Sequence, residues 1–174
     1  MKKIFYFAFC FICSTIFANA QYTANLDYFA GTWKYENTGT GEEFILKLKR
    51  GDEPGSGSYL VGAYLYKKNN IVVIDCLNHY YKNYANKFEY PVYATNKARN
   101  PSWVNPNLLY MFFSDSLLNY RSRNSALSIE NFIYTGSGPK KMEIFLRTAE
   151  GVFADNFPPD KLTPPEYMVL TKVE

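Results

Sequence analysis

The sequence predicts an all-β protein: a single antiparallel β-barrel or strongly curved sheet of eight to nine strands. Three observations predict it. Short runs rich in Val, Ile, Tyr and Phe alternate with clusters of Gly, Asn and Pro along the chain. Inside the runs the pattern has period two: Phe44, Leu46 and Leu48 interleave with Ile45, Lys47 and Lys49, a strand with one dry face and one wet face. After residue 20 no segment carries a convincing helical pattern.

The elements follow in order. Residues 1–20 stand apart from the domain. Lys2 and Lys3 give a positive start, Ile4 to Phe17 is an apolar run, and Ala18-Asn19-Ala20 is a small-residue cleavage site. The expectation is a secretory signal peptide over 1–20 and a single domain over 21–174. The product would be secreted or periplasmic and would begin at Gln21. The apolar run is short for a membrane span, so no transmembrane segment is expected in the mature chain. Neither Cys10 nor Cys13 sits where lipid attachment would need it, because both lie inside the apolar run.

Phe29 to Glu36 is the first strand, "NTGTG" turns the chain, and Glu43 to Arg50 returns. "GDEPGSG" is a loop whose glycines permit positive φ. Ser58 to Lys67 and Ile71 to Cys76 form a hairpin around Asn69-Asn70, since Asn tolerates left-handed backbone angles. Leu77 to Asn107 is less regular, rich in Tyr and Asn, with one strand over Phe88 to Ala94 and the rest loop. Leu108 to Ser114 is a strand. Ala126 to Tyr134 and Lys141 to Thr148 form a hairpin around "TGSGPK". "FPPDKLTPP" is an extended crossing stiffened by its prolines, and Tyr167 to Val173 is the last strand.

Charge and cysteine count exclude several function classes. Without Lys2 and Lys3 the chain keeps 17 of its 19 Lys+Arg, against 16 Asp+Glu. A near-neutral chain with no basic patch argues against nucleic acid as a partner. Only Cys76 remains beyond the signal, so no internal disulfide is possible and the fold rests on its packed core. Cys76 ends the apolar run "IVVIDC" and reads as a buried, inert thiol.

The string "LDYFAGTWKYE" places a Gly-x-Trp, Gly31-Thr32-Trp33, on the first strand. Gly31, Trp33 and Tyr35 share one strand face, and Thr32, Lys34 and Glu36 the other. A glycine two residues before a large indole leaves room for a close strand or a bend. These residues and the hairpins after them resemble the lipocalin-like (calycin) β-barrel superfamily. The resemblance implies a tryptophan at the barrel floor with a basic side chain stacked on it. Lys172, in "MVLTKVE", is the nearest counterpart of that cation, with Arg147 as another candidate. The "GTWKY…F.LKLK" start and "P..YMVLTKV" end also resemble a family of small, functionally uncharacterised secreted bacterial proteins. Gly31, Trp33 and Lys172 therefore speak to fold rather than to chemistry.

Candidate catalytic groups are few. His79 is the only histidine. Residues three apart on a strand face opposite ways, so pairing it with Cys76 would need a turn. The plainer reading is a solvent-facing loop histidine. One His and one Cys cannot close a zinc site, so no metal and no cofactor is expected. Asp52, Glu53, Asp75, Asp115, Glu130 and Glu143 could pair in space as in a glycosidase, and nothing in the sequence alone brings them together. A hydrolase is thus the least supported class, and the chain is expected not to be an enzyme. Tyrosine is the unusual abundance, 16 in the chain. Its ring with a polar tip suits sugars or amphipathic ligands. Tyr80, Tyr81, Tyr84 and Trp103, in the long middle segment, are the candidate ligand-binding residues. The expected role is a monomeric, exported binding module for a small amphipathic or glycan-type ligand or an envelope component. The alternative is a structural or protein-interaction module of the cell envelope, with a filled barrel.

Overall fold

A computed structural model describes residues 26–53, 57–95, 109–115, 125–133, 140–148 and 163–174. The signal-peptide expectation for 1–20 and the candidate Trp103 lie outside the described residues. Nine strands occur among the described residues: β1 (Gly31–Asn37), β2 (Glu42–Glu53), β3 (Gly57–Lys68), β4 (Ile71–Asp75), β5 (Val92–Thr95), β6 (Leu109–Phe113), β7 (Ser125–Ile133), β8 (Lys141–Thr148) and β9 (Tyr167–Lys172). Among the described residues helical geometry is confined to three short 3₁₀ turns, Leu26–Tyr28, Leu77–Tyr81 and Lys87–Glu89. No helix among these residues is long and apolar enough to cross a membrane.

The pairings run β2-β1-β9-β8-β7-β6-β5-β3, and a β2–β3 ladder joins the two ends, all antiparallel. Two seams are short. Trp33↔Lys172 and Lys34↔Thr171 join β1 to β9, and Val92↔Phe113 and Tyr93↔Phe112 join β5 to β6. The result is a nearly closed barrel.

β4 and β5 share one stave of that barrel. β4 pairs with β3 down to Leu65↔Asp75, and the Cys76 amide still donates to the Tyr64 carbonyl at 2.9 Å. The ladder resumes at Gly62↔Val92. Between those points β3 advances past Ala63 alone, while its partner makes an excursion from Leu77 to Pro91. With β4 and β5 counted as one interrupted stave, the barrel is an eight-stave up-and-down meander.

The turn chemistry follows local rules. Asn69 and Asn70 have φ of 52° and 62°, the two left-handed residues of a tight hairpin. The Asn69 amide donates to the Gly41 carbonyl at 2.7 Å, tying two neighbouring turns together. The expected strand over Phe88 to Ala94 is shorter, beginning at Val92. The Asn86 side chain accepts from the Phe88 amide at 3.0 Å and starts the turn Lys87–Glu89, and Pro91 has no N–H to give a ladder.

The core lies inside the barrel, where inward residues of β1 to β6, β8 and β9 form one buried cluster. Phe44, Tyr64 and Phe113 meet across the interior, with ring centroids 4.5–6.5 Å apart. At one end the Leu26–Tyr28 turn carries Leu26 and Phe29 into the cluster. Trp33 there is fully buried, and its indole N–H donates to the Phe29 carbonyl at 2.8 Å.

β3 is buried on both faces. Leu60, Tyr64 and Tyr66 face the core, while Val61, Ala63 and Leu65 on the outer face are buried as well. The turn Leu77–Tyr81 lies against β3 and β2 there. This explains the unbroken apolar run "YLVGAYLY", since a strand covered on both sides loses its polar alternation. Each buried Val or Leu contributes about 1.5–3 kcal/mol toward holding the excursion on the wall.

Candidate functional site

Outside the barrel, β2 turns Lys47 and Lys49 toward solvent, because Leu46 and Leu48 point inward. The excursion bends back over them. Lys47 Nζ donates to the Tyr81 hydroxyl at 3.2 Å and lies 5.8 Å from the Tyr80 ring centroid. Lys49 Nζ donates to the Lys82 carbonyl at 3.0 Å, with the Tyr80 and Tyr90 rings at 5.5 and 5.3 Å. Tyr80 and Tyr81 meet edge to face, as do Tyr84 and Tyr90. The Tyr90 hydroxyl donates to the Lys82 carbonyl at 2.7 Å, and the Tyr84 amide to the Tyr90 hydroxyl at 3.3 Å. The rings thus brace one another and the two lysines, and Tyr81 remains 70% exposed.

His79 belongs to the same surface. The expected solvent-facing histidine is instead half-buried, stacked on Tyr84, with Nδ1 2.6 Å from the Tyr84 hydroxyl. Burial, and then the field of Lys82, hold its pKa below the ordinary value. The turn that a Cys76–His79 pair would need does exist, with the His79 amide donating to the Cys76 carbonyl at 3.0 Å. The imidazole nevertheless engages Tyr84. Cys76 is buried.

The charge pattern separates this surface from the rest of the β1–β3 wall. Lys34, Lys67, Lys68 and Arg50 form ion pairs with carboxylates. Among the described residues Lys47, Lys49 and Lys82 have no carboxylate at ion-pair distance and turn to phenol rings, a hydroxyl and a carbonyl. The Tyr81 hydrogen bond raises the Lys47 pKa against partial burial, so this ammonium stays charged.

Of the sequence-predicted binding residues, the structure brings Tyr80, Tyr81 and Tyr84 together. Gly31, Trp33 and Lys172 sit elsewhere, at the barrel floor. Lys172 Nζ lies 5.3 Å from the Trp33 ring centroid and donates to the Ala30 carbonyl. Burial, then Lys140, lowers the Lys172 pKa. Gly31 has φ of +126°, and a Cβ there would collide with the Glu174 carbonyl and the Lys172 stem. Arg147, the other candidate cation, stands in the β7–β8 ladder opposite Ala126.

The candidate acids are scattered. Asp52 is exposed beside Arg50 and Ser58, Asp75 caps the Leu77 amide, and buried Asp115 accepts from the Thr163 amide at 2.7 Å. Glu130 and Glu143 stand opposite each other in the β7–β8 register. Glu143 lies between inward Met142 and Ile144, hence on the convex outer wall, half-buried. No group of three metal-ligating side chains occurs among the described residues.

Sequence reasoning missed Lys47, Lys49, Lys82, Tyr90 and His79 as parts of one surface. The alternation marked the wet face of β2, and the apolar outer face of β3 was the signal that something covers it.

Fold and surface together define a class: an up-and-down β-barrel with a packed interior and a tyrosine–lysine surface built on its outer wall. The chain belongs to a family of unknown function, DUF6705, whose profile matches residues 1–173. No curated protein and no solved structure matches it.

Proposed function

We propose that this chain is an exported, non-enzymatic binding module of lipocalin-like design. In this reading residues 1–20 are removed and the mature protein acts from Gln21 onward, as a monomer and without a cofactor. It takes a glycan-type or amphipathic ligand on its outer wall, where Tyr80, Tyr81 and Tyr90 stand beside Lys47 and Lys49 and Tyr84 beside Lys82. The observation that carries this reading is the burial of β3 on both faces. It ties the tyrosine segment to a rigid wall, the arrangement in which loop residues serve binding. The meeting of Phe44, Tyr64 and Phe113 across the interior favours the wall over the barrel cavity.

A second reading, an envelope protein-interaction module, is favoured by one specific observation. Tyr93 stacks on Phe112 at 4.6 Å and Phe88 meets Tyr93 edge to face, with Phe88, Phe112 and Tyr110 all exposed.

A glycan array probed with the mature protein tests the first reading. The expected result is a defined set of bound glycans, lost in Tyr81→Ala without a change in thermal midpoint. Equal binding by Tyr81→Ala, or no bound glycan at all, refutes it. Intact-mass measurement on protein from the host tests export: the chain should begin at Gln21, and recovery of full-length cytosolic chain would contradict the proposal.

A further inference from the structure

We infer that the ligand of the tyrosine–lysine surface is an acidic polysaccharide, a chain of sugars carrying carboxylate or sulfate groups that Lys47 and Lys49 bind. This rests on the outer-wall reading above and adds the chemistry of the ligand.

The first argument is charge. Lysines elsewhere on the β1–β3 wall meet glutamates: Lys34 and Lys67 share Glu43, and Lys68 reaches Glu42. Lys47 and Lys49 each make one hydrogen bond among the described residues, both to neutral oxygens. An ammonium has three donors, so each has donors left for a ligand. The acid whose field reaches Lys47 is Glu174, and its carboxylate accepts from the Thr32 hydroxyl at 3.3 Å. A positive surface whose lysines have no carboxylate at ion-pair distance among the described residues is complementary to an anion.

The second argument is shape. Lys47 and Lys49 project from the same face of β2, about 7 Å apart along the strand. Phenol rings stand beside both. A linear polymer with charges along its edge and apolar ring faces can touch the ammonium groups and the tyrosines in one pass. A nucleic acid would bring a denser row of phosphates than these few lysines can meet, and a lipid surface would call for exposed aliphatic side chains where this patch offers phenols.

Binding of the mature protein to alginate, a linear uronate polymer, is the test. Neutral dextran, phosphatidylglycerol vesicles and oligo-dT serve as the other probes. Alginate should bind, and raising the salt should weaken it. Lys47→Gln/Lys49→Gln should bind about tenfold more weakly at low salt, the worth of two exposed ion pairs together. Lys68→Gln, the same charge change near the β3–β4 turn, should leave binding unchanged. Melting curves confirm that each variant is folded. If dextran binds as tightly as alginate, and only Tyr81→Ala weakens it, the surface stands and the acidic inference falls. Preference for vesicles or oligo-dT overturns the polysaccharide. Failure to bind any probe overturns the inference, and the array result for Tyr81→Ala then decides the surface separately.

Discussion

Replacing Trp33 measures what holds the barrel floor. The indole has no solvent exposure and fills the end of the core beside Leu26 and Phe29. Truncating a buried tryptophan to alanine costs about 3–5 kcal/mol. Two further losses come with it. The Phe29 carbonyl loses the 2.8 Å hydrogen bond from the indole N–H, and a buried acceptor left bare costs about 1–3 kcal/mol. Lys172 loses the ring beneath it, worth about 0.5–1 kcal/mol. These contributions overlap, so Trp33→Ala should destabilise by about 4–6 kcal/mol, a large share of the 5–15 kcal/mol of an ordinary domain. At about 2–4 °C per kcal/mol for a domain this size, the thermal midpoint should fall by about 10–20 °C. Trp33→Phe separates packing from polarity, since it keeps a ring and removes the N–H. It should cost less than the alanine change and more than zero. Urea titration followed by far-UV circular dichroism gives both values. An unchanged midpoint for Trp33→Ala would refute the floor role. Wild-type stability in Trp33→Phe would show that the Phe29 hydrogen bond contributes nothing.

Gly31→Ala should destabilise by at least about 2 kcal/mol, because φ of +126° is strained for any side chain and the new Cβ meets Glu174 and Lys172. Equal urea midpoints for Gly31→Ala and wild type would count against this. His79→Gln should flatten the loss of stability between pH 7 and pH 5. Burial holds the folded His79 below its ordinary 6.5, so the unfolded chain takes up the proton first. The stability is therefore fully present above about pH 6.5 and is lost as the pH falls through the folded value. An identical pH slope in the variant would sink the argument.

Much of the barrel was legible because its signals are local. The alternation of Phe44, Leu46 and Leu48 with Lys47 and Lys49 needs only the pleat, and the Asn69-Asn70 turn only the backbone preference of asparagine. The opening of β5 was misjudged because Asn86 offers the backbone a local hydrogen bond that competes with the ladder. The site was legible only in part. Tyr80, Tyr81 and Tyr84 stood out by composition, but their lysine partners lie on a strand some thirty residues earlier. Nothing along the chain says that the segment after Cys76 folds back over β2 rather than away from it. That choice is made by Val61, Ala63 and Leu65, which need a cover, and it exists only once β3 is in a sheet.

The interrupted stave separates two jobs that most proteins must solve together. The excursion leaves the ladder beside Tyr64 and re-enters it beside Gly62, so its two ends are clamped to neighbouring points of a strand that does not itself deviate. Residues added to the excursion or removed from it shift no ladder pair. Loop closure grows only slowly with length, by about 0.6 kcal/mol per doubling, so the barrel scarcely senses such changes while the Leu77–Tyr81 turn keeps Val61, Ala63 and Leu65 covered. The segment is an interchangeable cartridge in a fixed mount. A new recognition sequence can be inserted there, by mutation in nature or by grafting in the laboratory, while the same eight staves go on folding around the same core.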